Sequence, residues 1–230
     1  MMKRNTVFLF FSLVFTGIGI QAQNTFRPEW VIGVSGGIDF SSVSFSRKVA
    51  QNKLIGVNGG VTVRWITEKN LGLQLEVNFS QKGWKEDIEQ MDEEKTLSMS
   101  NPFYSRTLNY IDIPLLTHIY LGGNKIRFFV NMGPQIGFFL YENRSENLNG
   151  ESIPNKPNAQ HTLQIEKKIE WGLGGGPGLE FRSNAGYFLL EGRYYYGLSD
   201  IYSTRRGDAF SKASNQIIAV KLSYLIPIRK

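Results

Sequence analysis

The sequence predicts an all-β fold: eight antiparallel strands, connected up and down and closed into a transmembrane barrel. Three observations predict it. Eight segments alternate apolar and polar residues with period two, as half-buried strands do. Beyond the N-terminus no stretch approaches the ~20 apolar residues that a membrane-spanning helix needs. The connections between the segments alternate strictly between short and long, the pattern of an outer-membrane barrel with its turns in the periplasm and its loops outside.

The first element is an export signal rather than part of the fold. Lys3 and Arg4 precede an apolar run over 7–20, broken by Ser12 and Thr16 and followed by Ile20-Gln21-Ala22. A basic start, an apolar stretch too short to span a bilayer and a small residue at its end describe a secretory signal peptide. The sequence therefore predicts cleavage after Ala22 and a single barrel domain over 23–230.

The strands follow in order. The first, 30–40, sets Trp30, Ile32, Val34, Ile38 and Phe40 against Val31, Ser35 and Asp39. The second, 55–65, sets Ile55, Val57, Val61, Val63 and Trp65 against Asn58, Thr62 and Arg64. In the third, 71–79, Leu71, Leu73, Leu75, Val77 and Phe79 oppose Gln74, Glu76 and Asn78. The fourth, 108–121, opposes Ile111, Ile113, Leu115, Ile119 and Leu121 to Asp112, Pro114, His118 and Tyr120. The fifth, 128–140, runs Phe128, Val130, Met132, Ile136, Phe138 and Leu140 against Asn131, Gly133, Gln135 and Gly137. The sixth, 169–181, sets Trp171, Leu173, Leu179 and Phe181 against Glu170, four glycines and Glu180. The seventh, 187–198, carries Phe188, Leu190, Tyr194 and Tyr196 opposite Glu191 and Arg193. The eighth, 216–226, carries Ile218, Val220, Leu222, Tyr224 and Ile226 opposite Ala219, Lys221 and Ser223.

Alternation alone does not say which face meets lipid. The polar face is small, and a narrow eight-stranded interior holds the small set rather than the bulky one. Aromatic residues also bracket the bulky face: Trp30 and Phe40, Phe128 and Phe138, and Trp171 and Phe181 are each ten apart. Ten residues at 3.3 Å, tilted by roughly 40°, span about 25 Å, the height of the apolar band of such a barrel. With Trp65 and Tyr224 these residues form the predicted aromatic girdle. The short connections are 67–70, 122–125 and 183–186; the long ones are 41–54, 83–106, 142–168 and 199–214.

Composition excludes several functions. The chain has no cysteine, hence no disulfide, thiol nucleophile or thiolate metal site, and its two histidines, His118 and His161, are too few for a multi-histidine metal centre. The formal charge of +6 falls to +4 once Lys3 and Arg4 are removed, too little to argue for a nucleic-acid partner. No cofactor is predicted. The glycines of 172–178 lie within a strand, not between a strand and a helix, so they are no nucleotide loop.

Four motifs carry a family resemblance: Gln81-Lys82-Gly83, Tyr110-Ile111-Asp112-Ile113-Pro114-Leu115-Leu116, Asn131-Met132-Gly133-Pro134-Gln135-Ile136-Gly137 and Arg193-Tyr194-Tyr195-Tyr196-Gly197-Leu198. On these the chain resembles the PorT-type outer-membrane β-barrel family of Gram-negative bacteria. The resemblance implies an integral outer-membrane protein with a role in secretion or envelope assembly.

The inward charges Asp39, Arg64, Glu76, Asp112, Glu170, Glu180, Glu191, Arg193 and Lys221 are expected to form an ion-pair network filling a closed lumen, since buried charges need partners. Arg64 can pair with Glu76 on the adjacent strand, and Arg193 and Lys221 with Glu191. No catalytic residue is assigned. The leading expectation is a non-catalytic barrel, an accessory of secretion or envelope assembly or a scaffold for surface loops. Its partners are lipid, lipopolysaccharide and proteins met through 83–106 and 142–168. Within 83–106, the acidic run at 85–95 is expected to be a solvated loop. Two alternatives stay open: a lipid hydrolase or acyltransferase using His118 near Asp112, and an adhesin-like binding barrel.

Overall fold

The computed structural model describes residues 28–46, 49–87, 103–147, 161, 163–202 and 213–228. The predicted signal peptide and most of the acidic run, 88–95, lie outside the described residues.

Among the described residues nine strands are formed: β1 (Glu29–Phe45), β2 (Gln51–Asn52), β3 (Leu54–Glu68), β4 (Leu71–Glu86), β5 (Tyr104–Gly122), β6 (Ile126–Glu146), β7 (Ile169–Ser183), β8 (Gly186–Gly197) and β9 (Ala213–Ile228). All but β2 form one antiparallel ring in the order β4-β3-β1-β9-β8-β7-β6-β5, which a β4–β5 ladder closes. Closure pairs the backbone groups of every strand on both edges, a requirement in lipid, where water cannot satisfy them. The β1–β9 seam runs from Trp30 opposite Ile228 to Phe45 opposite Ala213.

Each predicted strand is present, and most are longer than predicted. The third was expected to end at Phe79, yet β4 continues through Ser80, Lys82, Trp84 and Glu86, all buried. The alternation expected of a lipid-facing strand stops because Gln81 and Lys85 sit above the apolar band, where the outward face meets water. The inner face keeps its period of two. β4, β5 and β6 therefore form a wall that rises past the band; from Phe138 to Glu146 it climbs about 20 Å.

The bulky face points outward, as expected: Trp30, Val34, Ile55, Val57, Leu173 and Leu222 are exposed on the barrel wall, where lipid covers them. The interior differs from the expectation of small residues only. Phe129, Tyr110, Tyr120, Tyr195, Leu116 and Trp84 also point inward and are buried. The glycines of β7 make room for them. A Cβ on Gly178 would lie 2.2 Å from Phe129 Cζ, and one on Gly172 would lie 2.8 Å from the Tyr195 ring. The small residues of one strand thus accommodate the large residues of its neighbours.

The interior is layered. An apolar plug of Val31, Ile66, Tyr120, Phe129, Tyr187, Leu189 and Leu225 closes the end with the short turns. A second cluster, including Val43, Trp84, Tyr104, Leu108, Tyr110, Ile165 and Tyr202, closes the end with the long loops. The charged residues lie between the two.

Candidate functional site

The charged interior has three levels. Nearest the turns, Arg64 donates from Nη1 to Glu180 Oε2 at 2.6 Å and from Nε to Gln74 Oε1 at 2.7 Å. Arg182 also donates to Glu180. At the middle level Glu76 accepts from Arg193 Nη2 at 2.7 Å and from Lys221 Nζ at 2.7 Å, and Arg193 Nε donates to Glu191 Oε1 at 2.7 Å. Neutral amides complete this level: Asn78 donates to Glu76 at 2.8 Å and Asn131 to Glu191 at 3.0 Å. At the upper level Lys82 Nζ donates to Asp112 Oδ1 at 2.8 Å and to Glu170, while Asp39 accepts from Asn58 and Ser80. All nine charged residues singled out from the sequence lie in these three levels, each at most 6% exposed.

Two pairings differ from the sequence expectation. Arg64 meets Glu180 rather than Glu76, because its register partner on β4 is Gln74 and its side chain then reaches across the lumen to β7. Lys221 sits directly opposite Glu191 on β8 but crosses to Glu76 instead. In so narrow a barrel a long side chain spans the interior, so an opposite strand competes with an adjacent one.

Lys82 and Arg182 are the charged residues of these levels that sequence reasoning left out of the network, and Lys82 is the more deeply buried. Lys82 stands in the stretch 80–86, where the outward apolar signal had stopped; the continued inward spacing of Ser80, Lys82, Trp84 and Glu86 was the available clue.

The girdle residues divide between two rims. Trp30 stacks on Trp65 with ring centroids 5.6 Å apart, and Phe128, Phe181 and Tyr224 lie at the same turn-side level, where Tyr224 donates to the Ala185 carbonyl of the β7–β8 turn. Phe40, Phe138 and Trp171 occupy the opposite rim: Phe40 on β1 faces Ile218 of β9, and on the neighbouring strands β6 and β7 Phe138 faces Ile169 and Trp171 faces Ile136.

His118 points inward and is buried. Its Nδ1 lies 2.8 Å from Asn131 Oδ1, and its ring packs against Tyr120 and Phe129. Asp112 is six residues along the same strand, about 20 Å away, so the two are not brought together. Asp112 is bound to Lys82 instead.

Above the band the wall carries a second constellation. Arg106 on β5 is wholly buried; it donates to Glu142 at 2.8 Å, to the Leu163 carbonyl at 2.7 Å and to Tyr202 Oη at 3.3 Å, and its guanidinium lies 5.5 Å from the Trp84 ring centroid. Glu142 also holds Arg144, which donates in turn to the His161 carbonyl. His161 Nε2 lies 2.9 Å from Glu86 Oε2, and its ring stacks on Tyr104 with centroids 3.9 Å apart. One arginine thus bridges β5 and β6 within the wall and ties two distant segments, around Leu163 and Tyr202, to it. Glu86, expected in a solvated loop, is a buried strand residue that also accepts from Trp84 Nε1. Burial pushes the Tyr104 phenol up to about 12 and the Tyr202 phenol well up. Gly83, at φ +137°, lets β4 pass close to β5 here; a Cβ on it would lie 1.9 Å from the Arg106 carbonyl oxygen.

A family described as "Outer membrane protein beta-barrel domain" matches residues 21–203. That description is of the general barrel domain and does not name the PorT type. No curated protein matches the chain significantly. Among solved structures the fold is similar to OprG of Pseudomonas aeruginosa, with 14% identity over 87% of this chain and 96% of that one at a TM-score of 0.47. It is also similar to Ail of Yersinia pestis, with 14% identity over 86% and 99% at 0.42, and to outer membrane protein W of E. coli, with 13% identity over 88% and 100% at 0.40. These likenesses concern the fold alone.

Proposed function

This chain belongs to the outer membrane protein β-barrel domain family, and we propose that it is a non-catalytic member that works through its outer rim, presenting a surface to protein partners in secretion or envelope assembly. One observation carries this reading. The wall of β4–β6 rises beyond the lipid band, and buried Arg106, held by Glu142 within it, ties the segments around Leu163 and Tyr202 to it. A rim built to be rigid suits docking, because little ordering is left to be done when a partner binds.

The interior supports the same reading. Among the described residues, three charged levels between two apolar clusters fill the lumen, which favours a closed barrel over a pore or a substrate cleft. The resemblance to PorT-type barrels in the motifs around Gln81, Tyr110, Asn131 and Arg193 supports the secretion or assembly role over a passive scaffold.

The test is complementation. A strain lacking the gene is expected to lose part of its secreted or surface protein profile. Wild type restores it, and Arg106→Leu, shown by heat-modifiable gel mobility to be folded, does not. A deletion strain with normal secretion, envelope integrity and surface proteins overturns the proposal.

A further inference from the structure

Above the lipid band β6 keeps one neighbour and loses the other. It stays paired with β5 as far as Glu146 opposite Tyr104. Its ladder with β7 ends at Phe138 opposite Ile169, with one further bond from Phe139 N–H to the Lys168 carbonyl at 2.8 Å. The chain before β7 then leaves the wall. Ile165 is buried in the upper apolar cluster and the Leu163 carbonyl is held by Arg106, so this segment bends over the mouth instead of rising along β6. The side of β6 that faced β7 is left open from Leu140 to Glu146.

The pairing settles which groups this edge offers. Asn147 N–H donates to the Phe103 carbonyl at 2.9 Å, so Asn147 faces β5, and with it Ser145 and Asn143. In an antiparallel ladder alternate residues bond to opposite sides. The N–H and C=O groups of Glu142, Arg144 and Glu146 therefore point away from β5, and among the described residues nothing bonds to them. Arg144 and Glu146 are exposed.

Other strand edges above the band are capped. On β1 the Gln51 side-chain amide serves both groups of Val43, accepting at 3.1 Å and donating at 2.8 Å. β2 pairs with the end of β4. At the start of β9, Ala213 N–H donates to Asp200 Oδ1 at 2.7 Å and its carbonyl accepts from Ile201 N–H at 2.9 Å. An uncapped edge is a template for a further strand, which proteins guard with proline or with free charges. Residues 140–146 contain no proline, and Glu142 and Arg144 spend their charges on each other at 2.7 Å.

We infer that a partner protein docks here by laying an extended segment along β6, bonded to the main chain of Glu142, Arg144 and Glu146, with a carboxylate at its membrane-proximal end. This rests on the docking role proposed above and names the part of the rim that docks. Main-chain bonds give such recognition its affinity, and the flanking side chains its specificity. At the foot of the edge the Lys168 ammonium lies 4.5 Å from the Phe139 ring centroid and meets no carboxylate among the described residues, which calls for an acidic residue on the partner. A second copy of this chain does not fit. Barrels in one membrane point the same way, and two strands each tilted by about 40° would cross at roughly 80° about a two-fold axis along the membrane normal.

The experiment separates the edge from the side chains it carries. Arg144→Pro removes one outward N–H and leaves the ladder with β5 in place, as proline does at a strand edge. Arg144→Ala loses the same side chain and keeps the N–H. Both, checked for folding by heat-modifiable gel mobility, complement the deletion strain beside Arg106→Leu. Arg144→Ala is expected to restore about fivefold more of the secreted or surface protein profile than Arg144→Pro, the worth of one main-chain hydrogen bond. Glu146→Pro against Glu146→Ala decides the matter should Arg144→Pro not fold. Equal restoration by the proline and alanine variants overturns strand addition, while the docking reading stands as long as Arg106→Leu fails; restoration by Arg106→Leu overturns that reading as well. In the purified protein, residue-resolved amide hydrogen exchange is expected to be fast at Arg144 and Glu146 and slow at Asn143 and Ser145. Slow exchange at Arg144 and Glu146 shows that the chain covers its own edge and overturns the proposal. So does a dimer in detergent that Arg144→Pro dissociates and Arg144→Ala does not.

Discussion

Arg64 on β3 and Glu180 on β7 meet across the lumen at 2.6 Å, both essentially inaccessible. Neither strand neighbours the other in the ring, so the pair braces opposite walls. Removing Glu180 leaves the buried Arg64 guanidinium without a carboxylate. Glu180→Gln is expected to lower stability by about 3–5 kcal/mol, while Arg64→Met with Glu180→Leu recovers most of the loss, since apolar replacement of both ions removes the desolvation cost. Urea midpoints of the single and double variants in detergent check this; a double variant no better than the single ones refutes it.

The filled interior has an electrical consequence. In planar bilayers the purified protein is expected to show no stable conductance steps, because among the described residues the Glu76–Arg193–Lys221 level and the apolar clusters above and below it fill the lumen. Recordings with reproducible steps of one size would count against the closed lumen.

Two glycines of β7 should respond differently to the same change. On Gly178 an added methyl meets the end of the Phe129 ring at 2.2 Å. A Cβ there also lies 2.7 Å from the Leu190 carbonyl oxygen. Gly178→Ala is therefore expected to destabilise, and Phe129→Leu in the same chain to relieve only the part due to the ring. On Gly176 the methyl meets the Gly192 carbonyl oxygen at 1.8 Å, and backbone cannot step aside. Gly176→Ala is expected to block assembly, with no rescue by Phe129→Leu. The fraction reaching the heat-modifiable form measures both.

Alkaline conditions should loosen the outer rim before the barrel. Burial raises Tyr104 to about 12 from an ordinary value near 10. A phenol that ionises more easily when released favours release. Its contribution to rim stability is whole below about pH 10 and is lost as pH rises from 10 towards 12. Trp84, 6.5 Å from Tyr104 between ring centroids, reports this in a variant whose other three tryptophans are phenylalanine. Its fluorescence is expected to shift across that interval, and Tyr104→Phe to move the onset higher.

What the sequence showed depended on the medium each residue faces. Between the girdles lipid demands an apolar outward face, so Trp30, Ile32 and Val34 mark a strand as plainly as any motif. Above them the outward face meets water and the mark fades, although the ladder from Ser80 to Glu86 continues unchanged. Lys82 and Arg106 were lost to view there, and with them the centres of the upper charged level and the rim. The partners inside were less legible than the residues. Adjacent strands could be paired from their order, but Arg64 with Glu180 depends on how far each strand is staggered around the ring, a quantity set by the closed barrel as a whole. The docking of His161 on Tyr104 and Glu86 joins residues 57 and 75 positions apart, and no local pattern announces it.

The seam between β1 and β9 sets the order of events in assembly. Lys221 on β9 and Glu76 on β4 lie on opposite sides of that seam; until β1 and β9 pair, Lys221 is on one edge strand of an open sheet and Glu76 two strands in from the other. An open sheet in lipid would bare both its edges and its charged concave face to hydrocarbon. Insertion and closure are therefore one step: the chain enters the membrane as a ring or waits outside it, and a factor that supplies a temporary edge strand would act on β1 or β9 before any other.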